Sequence, residues 1–199
     1  MLSPNLEQID SLLRLVDREI WLITAAHNGQ RSALTATWVS QVSLDRERPA
    51  LLAGLSPRNF TTELVRSSGL FAAHLVTHEQ LHLAFAFASQ SGRQQDKLAG
   101  LATWLHESGA FVLTECRAWF VAKVFRQMGA GDREFFWADV LAAGECGSGT
   151  PLREHAFFQG LTGEQRIQLK GLRDSDALAL RPAAQQWRTS PAELSIQTE

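Results

Sequence analysis

The sequence predicts a mainly β protein with inserted helices, and three patterns carry that prediction. Asn28-Gly29, a frequent two-residue hairpin turn, separates two strand-like runs. The turn sequence GAGD, at residues 129–132, separates two longer strand-like runs. Between these hairpins, residues 59–69 are typical of a short helix that begins near Asn59 and ends at Gly69. Because strands joined by tight turns pair antiparallel, we expect an antiparallel sheet with helices between some of its strands.

The other predicted elements follow in order along the chain. They are an amphipathic N-terminal helix within residues 1–19, buried strands near 50–56 and 70–76, an Ala- and Phe-rich helix over 79–89, a strand pair or bent strand over 111–126, and its return partner over 133–145. The polar tail after Pro151 contains a helical stretch near residues 163–171, and its position relative to the sheet stays open.

Composition narrows the classes of function. The 199 residues are 45% hydrophobic and 20% charged, which is typical of a globular domain and not of a disordered chain. The net charge of -2, without a Lys/Arg run that has interleaved aromatic residues, argues against nucleic-acid binding. No apolar run approaches the ~18 residues that span a bilayer, and Cys116 and Cys146 lack the spacing of a CxxC motif. We therefore expect a cytoplasmic protein with free thiols and with no membrane or nucleic-acid partner.

The run LTATWVSQVS, at residues 34–43, predicts a strand with small polar groups along one face. Alternation places Leu34 and Trp38 on one face and Thr37 and Gln41 on the other. A solvated strand face is the simplest interpretation of these polar groups. A ligand that needs uncharged hydrogen-bond partners is the alternative.

Four segments within about residues 20–145 resemble the flavin reductase-like family of FMN-binding split barrels in their order and spacing. They are LTATWVSQVSL, SPRNFTTELVRSSGLFAAHLV, DKLAG and TECRAWFVAKVFRQMGAGDREFFWADV. The resemblance implies a six-stranded Greek-key antiparallel β-barrel that forms homodimers and holds FMN, or alternatively FAD, near the subunit interface. The split-barrel domain would span residues 20–154, and a C-terminal extension, residues 155–199, would pack on the same domain or on the partner subunit.

The resemblance also implies which residues face the cofactor. The candidate contacts to the flavin ring and ribityl chain are Ser32, Thr37, Trp38, Ser40 and Gln41. Hydroxyl and amide groups suit this role because the edge of a neutral isoalloxazine offers an N–H group, carbonyl groups and N5. For Trp38, the competing interpretation is burial in the barrel core.

The segment SPRNFTTEL is the candidate phosphate site. It places Ser56, Arg58, Asn59 and Thr61 before or at the start of a short helix, and hydroxyl groups, a guanidinium and helix N-terminal N–H groups are suitable phosphate donors. The competing interpretation is that these residues only cap the helix. Lys97 in DKLAG matches a family lysine that reaches the flavin, and the alternative there is an exposed loop lysine.

Three positions depart from the family pattern. The turn after the 34–43 run has one proline, Pro49, where two are usual, and His74 stands where many members have Asn. Arg133 stands where many members have a His near the flavin or nicotinamide, which makes it the candidate catalytic position. Its permanent cation can stabilise an anionic reduced flavin or bind a phosphate, but it cannot donate a proton near neutral pH.

The resemblance implies an FMN-binding oxidoreductase in which NADH or NADPH transfers hydride to flavin and electrons pass to free flavin, an oxygenase partner or another acceptor. A flavin-binding protein without turnover is the alternative, which Arg133 and the single proline favour. A third hypothesis is a zinc hydrolase, because HEQLH at residues 78–82 matches HExxH with His78 and His82 as ligands. Such short patterns also occur by chance.

Overall fold

The computed structural model describes residues 5–190, and in that range it contains nine strands and five α-helices. The strands are β1 Trp21–His27, β2 Gln30–Ala36, β3 Val39–Gln41, β4 Ala50–Leu55, β5 Leu70–Leu75, β6 Thr103–Leu105, β7 Phe111–Leu113, β8 Ala118–Gly129 and β9 Glu134–Glu145. The helices are α1 Leu6–Leu13, α2 Phe60–Ser68, α3 Leu81–Ser89, α4 Glu154–Gly160 and α5 Gly163–Thr189. A 3-10 turn at His78–Gln80 precedes α3. None of the helices in this range is long and apolar enough to cross a membrane.

Seven strands form one antiparallel sheet in the order β2-β1-β5-β8-β9-β4-β3, and β6 pairs with β7 separately. The prediction of a mainly β protein with inserted helices is confirmed. The expected count of six barrel strands is wrong, because the described residues form a curled seven-stranded sheet. The predicted strand over residues 34–43 contributes two of the seven, since it divides between β2 and β3.

The division falls at Thr37-Trp38, and it separates the two edges of the sheet. β2 and β3 are the edge strands, and no ladder joins them to each other although only two residues connect them. The strict alternation predicted across this run fails there: Trp38 is 42% exposed, whereas Leu34 and Val39 are buried. A chain that passes from one sheet edge to the other must leave the strand conformation. In β3, Val39 is buried, whereas Ser40 and Gln41 are both exposed.

Two turns confirm the local sequence patterns. Asn28 and Gly29 have φ values of 49° and 76°, which is the left-handed conformation that a two-residue hairpin turn requires. Helix α2 has Asn59 at its N-cap position and Gly69 at its C-cap position, with φ 66° at the glycine. Residues 111–126 form two pieces: β7 pairs with β6, while β8 pairs with β5 and β9.

Buried apolar side chains cover both faces of the sheet. One cluster fills the concave interior around Ile23, Phe71 and Phe136, and a second lies between the sheet and helices α3 and α4 around Leu22 and Phe87. The sheet therefore forms the middle of the structure. Asn59 at the start of α2 and Asp176 of α5 lie near Thr37 and Trp38 at the open edge of the sheet.

His74 joins three strands inside the second packing layer. Its Nδ1 lies 3.0 Å from the carbonyl oxygen of Leu22 in β1, and the backbone N–H of Leu113 in β7 donates to its Nε2 at 3.0 Å. Complete burial lowers the pKa of His74 to about 4. The ring is therefore neutral near pH 7, with a proton on Nδ1 donated to Leu22.

Helix α5 is longer than the predicted stretch at residues 163–171. It begins at a capping box in which Thr162 and Gln165 bond to each other's backbone N–H groups. Leu180 and Ala184 are buried. Ala184 lies against Gly131 in the β8–β9 turn, where a Cβ atom added to the glycine would be 2.5 Å from the Cα of Ala184.

Candidate functional site

Three cavities meet at Thr37, the first residue of the break between β2 and β3. Their volumes are about 460, 440 and 190 Å³, and Thr37 lines all of them. We name them the α5 cavity, the Trp38 cavity and the Arg133 cavity after a feature of their walls. The break in the strand therefore creates concave surface instead of a flat solvated face.

The α5 cavity combines aromatic and aliphatic walls with polar groups. Phe60, Phe157, Phe158 and Leu172 are among its apolar walls. Five of the predicted cofactor contacts also line it: Thr37, Arg58, Asn59, Thr61 and Lys97. The tertiary structure thus brings together the end of β2, the start of α2, the loop after α3 and the C-terminal helices.

Asp176 of α5 contacts the predicted phosphate segment directly. The hydroxyl of Ser56 donates to Asp176 Oδ2 at 2.8 Å, and a guanidinium nitrogen of Arg58 lies 3.3 Å from Asp176 Oδ1. Asp176 lines both the α5 cavity and the Arg133 cavity, and Ser56 lines the latter. Ser56 and Arg58 therefore already have an anionic partner within the chain.

The start of α2 differs from a simple capped helix. Asn59 holds the N-cap position, but its side chain makes no capping hydrogen bond and lines the α5 cavity. Thr61 also lines the cavity, and its hydroxyl donates to Ser32 Oγ at 3.0 Å. Ser32 itself is fully buried, and Gly92 packs so closely that an added Cβ would lie 2.0 Å from Ser32 Oγ. Ser32 thus lies behind Thr61 and lines none of the three cavities.

Lys97 is a half-buried residue and not a freely exposed loop lysine. Its Nζ donates to the carbonyl oxygen of Phe87 at 2.9 Å and lies 6.0 Å from the centroid of the Phe87 ring. Burial lowers the pKa of Lys97 to about 8. The amine at this wall of the α5 cavity therefore loses its charge within one or two pH units of neutrality.

Trp38 lies in the wall between the Trp38 cavity and the Arg133 cavity and not in the core. Its ring stacks with that of Phe135, with 6.3 Å between centroids and 11° between planes. Arg133 lines the Arg133 cavity, and its guanidinium donates to the carbonyl oxygen of Asp132. The burial interpretation of Trp38 is not supported by its position.

The remaining candidates on β3 lie apart from the α5 cavity. Ser40 lines the Trp38 cavity, on the other side of Trp38, and its hydroxyl donates to the carbonyl oxygen of Gln41 at 3.3 Å. The amide of Gln41 donates to the carbonyl oxygen of Ser43 at 2.8 Å, and Gln41 lines none of the three cavities. These two residues stay predictions from the resemblance alone.

The HEQLH motif does not form the zinc site that its letters suggest. His78 lies in a 3-10 turn and His82 in the first turn of α3, where Nδ1 of His82 is 3.2 Å from the carbonyl oxygen of Glu79. Between residues 5 and 190, no three His, Cys, Asp or Glu side chains converge as metal ligands would. The zinc-hydrolase hypothesis lacks the ligand geometry that it needs.

Sequence reasoning missed the wall that the C-terminal helices supply. Phe157, Phe158, Leu172 and Asp176 all line the α5 cavity and lie after the segments that carry the family resemblance. The capping pattern at Thr162 marks the start of a helix. Nothing local in the sequence shows which face of that helix meets residues 56–58.

Comparisons with known proteins agree with this architecture. The family profile described as "Flavin reductase like domain" matches residues 13–159. The reductase component of a 4-nitrophenol 4-monooxygenase/4-nitrocatechol 2-monooxygenase from Rhodococcus opacus is 28% identical over 144 residues, 72% of each chain. An FMN-binding protein from Thermus thermophilus superposes with a TM-score of 0.61 at 21% identity, covering 66% of this chain and 72% of that one. An NADH:FAD oxidoreductase from Streptomyces globisporus superposes with a TM-score of 0.63 at 20% identity, covering 73% and 86%.

The fold and the matched segment define a class of ligand-binding proteins. Their common feature here is a curled antiparallel sheet whose open edge carries a ligand-sized cavity. This chain belongs to the flavin reductase like family. Helix α5, Gly163–Thr189, lies outside the matched residues. The wall that α5 adds to the cavity therefore comes from residues outside the profile match.

Proposed function

We propose that this protein binds a flavin in the α5 cavity and reduces it with NADH or NADPH. One observation carries the proposal: at a single break in the sheet, aromatic walls meet five residues that the family resemblance marks as cofactor contacts. FMN is the favoured cofactor, with FAD as the alternative. Both are named among the structural neighbours, in an FMN-binding protein and in an NADH:FAD oxidoreductase.

The residues present suit a flavin in size and chemistry. A cavity of about 460 Å³ lies within the range of small-molecule sites. Phe60, Phe157 and Phe158 offer apolar surface for a planar ring system. Thr37 and Asn59 offer uncharged hydrogen-bond groups, and Arg58, which is paired with Asp176, offers a guanidinium.

The contribution of the chain to the reaction would be positioning and exclusion of water. A bound flavin supplies a hydride acceptor at N5, so no side chain has to form a covalent bond. The aromatic side chains and Leu172 would keep water from the ring, and the hydroxyl of Thr37 would orient its polar edge. Lys97 would place a cation at the same wall, which favours negative charge on a reduced flavin.

A flavin titration tests the proposal. Ala88 lines the α5 cavity, so Ala88→Trp should obstruct it and abolish retention of FMN after desalting. Ala179→Trp is the matched control, because Ala179 is an exposed helical alanine outside the cavity walls. Equal FMN retention by wild type and Ala88→Trp would show that flavin does not bind in this cavity.

Binding without turnover is the second candidate function, and the position of Arg133 favours it. A permanent cation stands beside Trp38 at the Arg133 cavity, so this position cannot supply a proton near neutral pH. Anaerobic addition of NADH, then NADPH, to the FMN-loaded protein separates the two functions. Bleaching of the flavin absorbance supports the reductase, and an unchanged spectrum supports the binding protein.

We propose a homodimer that delivers electrons to an oxygenase. The oxygenase partner is supported by the Rhodococcus opacus relative, which is the reductase component of a monooxygenase.

A second subunit is supported by α1, which buries none of its residues in one copy and exposes Leu6, Ile9, Leu12 and Leu13. Light scattering of the purified chain checks the dimer, and a monomer at micromolar concentration would contradict it.

A further inference from the structure

The end of the α5 cavity that borders the Arg133 cavity is occupied by a carboxylate from the protein itself. Asp176 accepts a hydrogen bond from Ser56 at 2.8 Å and pairs with Arg58 at 3.3 Å. These are two of the residues that the sequence marks as phosphate donors. A carboxylate with two donors on its two oxygen atoms makes the same kind of contacts that a phosphate would make there.

The other cations that line the α5 cavity are engaged as well. Arg173 lies 3.5 Å from Asp174, and the Nζ of Lys97 donates to the carbonyl oxygen of Phe87 at 2.9 Å. Glu154, a second carboxylate in the wall, pairs with Arg18. Among the described residues, every cation of this cavity therefore already has an anionic or carbonyl partner.

A phosphate at this end would gain little and meet repulsion. To contact Ser56 and Arg58 it must displace Asp176, and the displaced carboxylate stays close because α5 is held by buried Leu180 and Ala184. A like charge within a few ångströms opposes a bound dianion. The terminal phosphate of a flavin would then add little to its affinity.

We propose that Asp176 is a specificity-determining residue that makes this site accept flavins with and without a terminal phosphate about equally. The inference rests on the proposed flavin site. Riboflavin would then bind about as tightly as FMN. The ring contacts supply the affinity, and Asp176 offsets the gain from the phosphate.

The test compares FMN and riboflavin binding by fluorescence quenching in three full-length proteins: wild type, Asp176→Asn and Glu164→Gln. In wild type, we expect the two dissociation constants to agree within about fivefold. If Ser56 and Arg58 were not paired with Asp176, they would favour FMN by about tenfold or more. Asp176→Asn should tighten FMN binding about fivefold, because it removes one partly exposed like charge. Riboflavin affinity should stay the same, which also shows that the variant is folded.

Glu164→Gln is the matched control because it removes one negative charge from the first turn of α5 without touching the cavity walls. It should leave both affinities unchanged. If Asp176→Asn weakens FMN binding, Asp176 orients the donors and the inference is wrong. Unchanged FMN affinity in Asp176→Asn would also overturn it. If no variant binds either flavin, the proposed function fails and this inference fails with it.

Discussion

The guanidinium carbon of Arg133 lies 5.0 Å from the centroid of the Trp38 ring, and that ring also stacks with Phe135. This contact joins the turn between β8 and β9 to the break between β2 and β3. A cation over an indole ring is attracted by the negative face of the π system. Arg133 thus holds the ring of a half-exposed tryptophan in place at the open edge of the sheet.

Replacing Arg133 should lower the reduction potential of bound flavin. Arg133→Met keeps an unbranched apolar stem but removes the cation that would stabilise an anionic reduced flavin. We expect the midpoint potential to fall by about 20–30 mV, equivalent to about 1 kcal/mol for a two-electron couple. Arg126→Met, which changes an exposed arginine on β8, is the charge control. Equal midpoint potentials in wild type and Arg133→Met would show that Arg133 does not interact with the bound flavin.

Burial of His74 should make the protein less stable below pH 6.5. The folded pKa is about 4 and the ordinary value is 6.5, so between these values the unfolded chain binds more protons. The free energy of unfolding should therefore be highest above pH 6.5 and fall by about 2 kcal/mol between pH 7.5 and pH 5. Urea titrations at several pH values measure it.

Two histidine variants complete the test at His74. His74→Phe should lose most of this pH dependence and be less stable at pH 7.5, because the N–H of Leu113 and the carbonyl of Leu22 lose their partner. His82→Gln, at an exposed position, should keep the wild-type profile. A profile that is the same in wild type and His74→Phe would contradict the assigned role.

Lys97 should make flavin affinity decrease as pH rises through 8. Its pKa is lowered to about 8 by burial, so the cation is present at pH 7 and mostly absent at pH 9. We expect the FMN dissociation constant to increase about threefold over this range. Lys97→Met should flatten that dependence. Lys123→Met, which changes an exposed lysine of β8, is the control and should keep it. The same slope in Lys97→Met and wild type would exclude a contact between Lys97 and the flavin.

Gly131→Ala should loosen the docking of α5. The glycine has φ +80°, and an added Cβ would lie 2.5 Å from the Cα of Ala184. We expect the free energy of unfolding to fall by about 2–3 kcal/mol from backbone strain and overpacking, and trypsin to cleave within α5 faster. Gly171→Ala is the control. A Cβ atom added there would meet no other atom within 4 Å, and it should stabilise the helix by about 0.5–1 kcal/mol. A fully stable Gly131→Ala would contradict this packing of α5.

The sequence by itself determined the elements whose cause is local. Asn28-Gly29 specifies its hairpin because few other residue pairs adopt positive φ at both positions. Asn59 and Gly69 likewise mark the ends of α2 through the conformations that helix ends require. The order of four segments was enough to identify the family, and the profile match confirmed it.

Only the tertiary structure decided where the run at residues 34–43 breaks and what closes the cavity. The break at Thr37-Trp38 occurs because the curled sheet has two edges that the chain must connect, a condition set by strands far away in sequence. The contact of Asp176 with Ser56 joins residues 120 positions apart. No local pattern encodes such a pair, because it depends on how α5 packs on the rest of the chain.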